Sequence, residues 1–246
     1  MKQFVFLILA LGLCMAQHMD QTSETLPLYS CKKIDRNLNL DGALGDRLWT
    51  LATPVSMRET VSGKRGRFET KVRLLYNNQY LYVGFECEDT YVWGTHTKRD
   101  APIYDEECVE VFLDPANSGF CYFELNLSPK NVLYDAFVLT ARTEKSPGAK
   151  IVPLFSYDME GLITRTHIEG EADKPGKAKG WTAEYAVPFT ECLGAPHLPP
   201  KSGDRWRVNL YRIDSVKKGE QTLYAWNPTG YLKFHIPWRY GILHFE

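Results

Sequence analysis

The sequence predicts an all-β fold, an antiparallel two-sheet β-sandwich with a short N-terminal helix, on three observations. Apolar and polar residues alternate at period two from Thr70 onward. The alternating runs are short and are separated by Gly, Pro and Asn turns. No helical pattern of roughly 10–15 residues is interleaved between them, as βαβ units would require. The 246 residues, 44% hydrophobic and 24% charged, suit a single domain with a sizeable core.

Taken in order, the chain opens with Lys2, an apolar run over residues 4–11, Gly12 and small residues near Ala16. That is the pattern of a secretory signal peptide, too short to cross a hydrocarbon layer of roughly 30 Å. Residues 1–16 are therefore read as the signal and 17–246 as one β-sandwich domain, secreted or periplasmic after cleavage. Cys14 raises a lipid-anchored form, but Leu13 precedes it where acylation wants a small residue, so simple cleavage is preferred. No later stretch is apolar enough to span a membrane.

Leu44, Leu48 and Leu51, with Trp49, fall at helical spacing after Asp41-Gly42 and predict the short helix, covering one end of the sandwich. Val72, Leu74 and Tyr76 alternate with Lys71 and Arg73. Asn77-Asn78 then makes a turn, and Leu81, Val83, Phe85 and Cys87 complete a hairpin. Further strands are predicted over 108–114, 120–128, 132–139, 163–169, 181–188, 205–214, 223–226 and 240–245, with exposed loops at 142–148 and 173–180. Cys31, Cys87, Cys108, Cys121 and Cys192 remain after the signal, an odd number without CxxC or zinc spacing, and are read as small buried hydrophobes. Lys and Arg number 29 against 30 acidic residues, so no global basic field favours nucleic acid.

The alternation also sorts side chains by face. Cys121, Phe123, Leu125 and Leu127 share one side, and Phe120, Tyr122, Glu124 and Asn126 the other. Trp206, Val208 and Leu210 oppose Arg207, Asn209 and Tyr211, and Glu110 interrupts an apolar strand. Carboxylates, amides and aromatic rings thus share the non-core face. Rings cover the C–H faces of a pyranose, and planar polar groups satisfy its hydroxyl rim, so this composition is that of a sugar-binding surface. Solvated polar residues on a half-exposed sheet produce the same alternation.

The ordered segments Ile34-Asp35, Leu40-Asp41-Gly42-Ala43-Leu44, Tyr80-Leu81-Tyr82-Val83-Gly84-Phe85, Arg99-Asp100, Val109-Glu110-Val111-Phe112-Leu113-Asp114, Trp226-Asn227-Pro228-Thr229, Phe234-His235-Ile236-Pro237 and Tyr240-Gly241-Ile242-Leu243 resemble carbohydrate-binding module family 9 over about residues 34–245. The resemblance implies a non-catalytic β-sandwich that clamps a sugar ring, in characterised members at a glycan chain end, between two aromatic side chains, often with structural calcium. Aligned on these motifs, the first clamp falls on Tyr104 and the second on Phe234, with the rim carboxylate on Glu110 and Tyr231 where an amide is found. Glu124 stands where the family pattern has arginine, and Tyr211 where it has glutamine. Arg supplies rigid donors and Glu only acceptors, so Arg99, Arg207 and Arg212 are auxiliary candidates for the missing donor. The expected partner is a poly- or oligosaccharide, within a polysaccharide-utilisation system that includes glycan-degrading enzymes.

Other chemistries have weaker support. Asp100, Asp105, Glu106 and Glu107 form an acidic cluster of hard oxygen ligands without EF-hand spacing. Hydrolysis would use Glu110 with Glu124 or Asp105 as paired carboxylates. A haem-binding electron-transfer sandwich would need axial ligands from Met19, Met57 and Met159 or from His96, His167, His197, His235 and His244, and no CxxCH is present.

Overall fold

The structure, a computed structural model, describes residues 25–142, 149–217 and 219–246. The signal-peptide reading, with Cys14, and most of the loop expected at 142–148 lie outside these residues. The strands are β1 (Leu28–Lys33), β2 (Val55–Ser56), β3 (Arg58–Glu59), β4 (Thr70–Tyr76), β5 (Tyr80–Glu88), β6 (Cys108–Asp114), β7 (Cys121–Leu127), β8 (Leu133–Arg142), β9 (Ala149–Leu154), β10 (Ile163–Gly170), β11 (Ala178–Pro188), β12 (Arg205–Lys217), β13 (Glu220–Ala225) and β14 (Gly241–Phe245).

Every expected strand forms; β4 and β7 bury apolar sets at period two, whereas β10 buries only Thr164. In the β4–β5 hairpin, Asn77 closes the turn by accepting from the backbone N–H groups of Gln79 (2.8 Å) and Tyr80 (2.9 Å) through Oδ1. The strands follow one path, β10-β11-β5-β4-β1-β14-β12-β6-β7-β8-β9. β1 joins its two halves: Leu28 to Cys31 pair in parallel with β14, and Lys32 and Lys33 in parallel with β4. The sheet is therefore open and mixed, which corrects the expectation of two separate antiparallel sheets. Only Tyr29 and Cys31 of β1 are buried among its apolar residues, too short an alternation to announce a strand from sequence.

The two halves face each other across one core. Val72, Leu74, Val83, Phe85 and Tyr185 from one half pack in the same cluster as Val111, Leu125, Trp206, Val208 and Leu243 from the other. All five described cysteines are unpaired thiols; Cys121 is half-buried and the rest are buried. Both outer faces are covered as well. Leu75, Tyr82 and Ala186 lie beneath Ile34, Leu38, Trp49 and Ala52. On the opposite side, Phe112, Tyr122, Tyr134 and Tyr211 form a second buried cluster with Ile103, Phe234 and Tyr240.

The expected N-terminal helix is a five-residue 3-10 turn, Arg47–Leu51. Asp46 caps it by accepting from Leu48 N, and Arg36 holds Asp46 at 2.7 Å. Its Trp49 is the buried anchor, and the indole Nε1 donates to Glu184 at 2.8 Å. Gly84 lies directly beneath: a Cβ there would stand 2.6 Å from Leu44 and 3.1 Å from Trp49. The loop expected at 173–180 gives its last three residues to β11.

Candidate functional site

The face of the β12-β6-β7-β8 half that points away from the sandwich core carries the residues singled out by sequence. Strand register sets them in a row: Tyr211 pairs with Glu110, Glu110 with Asn126, and Asn126 with Tyr134. The next row holds Asn209, Phe112, Glu124 and Ala136. Adjacent strands lie 4.7–4.9 Å apart, so Tyr211 and Tyr134 stand roughly 14 Å apart with carboxylate and amide between them.

Each end of the row is aromatic. At one, Phe234 stacks on Tyr211 with ring centroids 4.0 Å apart and planes 16° apart. Tyr211 donates its hydroxyl to the Phe234 carbonyl (2.9 Å) and accepts from Asn209 Nδ2 (2.8 Å). Asn209 also receives Asn227 N and donates to Asn227 O, both at 2.9 Å, which ties the 226–240 segment over the face. At the other end, Tyr104 meets Tyr134 edge-on at 5.4 Å. Tyr104 belongs to the 3-10 turn Ile103–Asp105, whose carbonyl at Tyr104 accepts from Gln221 Nε2 at 2.9 Å. Tyr104 remains 39% exposed, whereas Phe234 is 7% exposed.

Between them, the floor is buried and acidic. Glu110, Glu124 and Asn126 are 2%, 6% and 0% exposed. Asn126 Nδ2 donates to Glu124 Oε1 at 3.0 Å, and the Cys108 thiol approaches Glu110 Oε1 at 3.5 Å. Glu110 Oε2 and Asn126 Oδ1 have no hydrogen-bond partner among the described residues. Burial, and then the neighbouring Glu124 carboxylate, push Glu110 well above the usual carboxylate range; burial raises Glu124 to about 7. His235 adjoins this face, its Nδ1 2.5 Å from the Tyr122 hydroxyl, and burial lowers it to about 4.

The face was expected to be half-exposed; it is buried, because the 103–105 turn and the 226–240 segment close over it, and period two reports only which residues share a side. Of the auxiliary arginines, Arg207 alone shares this face, at its far end in register with Asp114; its Nε and Nη1 are buried and have no partner among the described residues. Arg212 points to the opposite side, fully buried, donating to Asp89 (2.5 Å), Thr70 (3.0 Å) and the Glu88 carbonyl (2.9 Å), with Glu107 at 3.4 Å. Its place follows from the alternation itself, which groups it with Trp206, Val208 and Leu210. Arg99 pairs with Asp135 (2.6 Å) and Asp158 (2.8 Å). Tyr231 lies on an exposed loop pinned by Thr229, whose hydroxyl donates to its carbonyl at 2.9 Å. Sequence reasoning left Tyr134 and Asn209 out of the site, although both fall on its face by the same alternation.

The acidic residues 100–107 do not converge. Glu106 bonds Thr95, Glu107 joins Arg212, and Asp100 instead meets Asp135 and Asp158, with carboxylate oxygens within 4.8 Å of one another. These are donors of the kind calcium prefers. Arg99 already pairs with all three, Asp100 at 3.8 Å included, and Met159 N donates to Asp135 at 2.6 Å, so the set does not fit an ion without displacing the guanidinium. Met57 and Met159 are packed into the main core. A cleft of about 700 Å³ lies on the opposite half, between residues 43–54 and Arg73, Glu86, Glu88, His167 and Lys179. Its aromatic lining, Trp49 and Trp181, is buried, so it offers no exposed ring for stacking.

The fold and this face together define a β-sandwich module with a polar floor set between aromatic walls. The chain belongs to the carbohydrate family 9 binding domain-like family, whose model matches residues 40–246. It is 28% identical over 189 residues to an extracellular protein of Arthroderma benhamiae, spanning 74% of this chain and 81% of that one. It is 24% identical over 193 residues to endo-1,4-beta-xylanase A of Thermoanaerobacterium saccharolyticum, covering 78% of this chain but only 14% of the xylanase. The fold is shared with a putative carbohydrate-binding protein from Bacteroides uniformis (TM-score 0.66, 15% identity, 90% of this chain and 100% of that one). It is also shared with a family 9 module from Caldicellulosiruptor kristjanssonii solved with cellotriose (TM-score 0.61, 13% identity, 89% and 93%). No helix among the described residues is long and apolar enough to cross a membrane.

Proposed function

We propose that the protein is a non-catalytic carbohydrate-binding module that holds one sugar ring above Glu110 and Asn126, between the aromatic groups centred on Tyr104 and Phe234. The observation that carries this reading is the cross-strand row of Tyr211, Glu110, Asn126 and Tyr134, aromatic at its ends and acceptor-bearing in its middle. A pyranose has apolar C–H faces for the rings and hydroxyl donors for the two orphaned oxygens. Tyr104, at 39% exposed, is the wall that solvent reaches. Family membership and the cellotriose bound by a structural neighbour support the reading. Glu110 and Glu124 occupy diagonal positions on one floor, an arrangement suited to accepting hydroxyls rather than to flanking a scissile bond.

Export as a single domain after loss of residues 1–16, for attachment to or capture of glycans beside degrading enzymes, completes the proposal. The extracellular relative and the xylanase that contains a similar segment support it. Titration calorimetry against glucose, cellotriose and xylotriose tests the binding: heat with one site per chain is expected. Tyr104→Ala should weaken it by about 1–3 kcal/mol, as loss of a stacked ring does. Silence with every sugar tested, or an unchanged affinity in Tyr104→Ala, would reject the site.

A further inference from the structure

The floor of the candidate site is chemically one-sided. Its polar groups are two carboxyls and an amide that has turned its N–H toward one of them. Two oxygens are left over, Glu110 Oε2 and Asn126 Oδ1, and both are buried without a hydrogen-bond partner among the described residues. No cation is among the groups that act on either carboxyl. Of the three candidate arginines, Arg99 pairs with Asp100, Asp135 and Asp158, Arg212 is enclosed on the opposite face, and Arg207 stands on this face four positions from Tyr211, in register with Asp114 rather than with either glutamate. His235, the imidazole on this side, is kept neutral by burial.

Burial opposes ionisation of both carboxyls, and a ligand that brings N–H donors together with positive charge would favour their ionised, acceptor form. A neutral sugar brings hydroxyl donors without charge. An ammonium group brings three N–H donors and a compensating charge to three adjacent acceptor side chains, and the tyrosine rings beside it favour a cation.

Resting on the carbohydrate-binding reading above, we infer that this site selects a sugar unit with a free ammonium group, a hexosamine lacking its acetyl, seated so that the ammonium meets Glu110, Glu124 and Asn126. The chain's formal net charge of only -1 gives little general attraction for cations, so selection would arise at the floor.

The test is titration calorimetry of the intact protein with the β-1,4-linked trisaccharide of glucosamine, the same trisaccharide N-acetylated, and cellotriose, at one salt concentration and a pH where the amine is protonated. The glucosamine trisaccharide should bind on the order of tenfold tighter than the other two, as hydrogen bonds to charged groups allow. Glu124→Gln should bring the ratio of glucosamine to cellotriose affinity toward one. Cellotriose or the acetylated sugar binding as tightly as glucosamine overturns the inference and leaves the carbohydrate reading standing. Binding of none of the three overturns both, and a ratio unchanged by Glu124→Gln overturns the proposed seating.

Discussion

Glu124 shows how one side chain links the floor to stability. Its pKa rises from 4.5 to about 7 because the folded protein buries it, so between those values the folded state holds a proton that the unfolded state has released. Its contribution is fully present below 4.5 and is lost as pH rises through about 7. Urea unfolding at pH 5 and pH 8 should therefore show a fall in stability with rising pH that is smaller in Glu124→Gln, which cannot ionise; an equal fall in both proteins would contradict the assignment. The two wall residues respond differently to truncation. Tyr104 is partly exposed, so Tyr104→Ala reports mainly on binding. Phe234 is buried against Tyr211, so Phe234→Ala should cost about 3–5 kcal/mol of folding stability, measured by denaturant unfolding, besides any effect on the ligand.

At the scale of elements, the strands from β4 onward were largely legible because most carry a period-two apolar set in sequence: the expected 108–114 coincides with β6. The short strands β2 and β3 and the edge strand β9 were missed, since their residues carry little alternation of their own. The 3-10 turn was misread as a helix because Leu44, Leu48 and Leu51 share helical spacing, whereas Trp49 is the only residue of Arg47–Leu51 that is buried. Trp49 can pack there because Gly84 leaves room on β5. Gly84→Ala would force a methyl into Leu44 and Trp49, and should destabilise the protein by about 1–3 kcal/mol with a change in tryptophan fluorescence. Unchanged stability would mean that the 43–54 segment shifts freely.

For the whole molecule, the two halves are joined by β1 at one edge and by a buried ionic cluster between them. Arg212 on β12 reaches Thr70 and the Glu88 carbonyl of the other half, and Asp89 just beyond β5. Glu107 also receives the Trp181 indole N–H at 2.8 Å. Removing the cation leaves Asp89, Glu107 and Asp214 facing one another, so Arg212→Ala should cost about 3–5 kcal/mol in thermal or chemical unfolding. A loss below about 1 kcal/mol would show that the carboxyls simply take up protons instead.

The order of residues along the chain determined which side chains share a side of each strand, Glu124 with Asn126 and Asn209 with Tyr211 among them, and the resemblance to family 9 modules pointed to Tyr104 and Phe234. Period two is a local property and survives in any sheet. Only the tertiary structure decided that Tyr211, Glu110, Asn126 and Tyr134 stand in one row, that both outer faces are covered, and that Arg212 is enclosed between the halves. Those outcomes depend on register between strands far apart in the chain and on segments returning from more than a hundred residues away, and no local pattern of hydrophobicity encodes either.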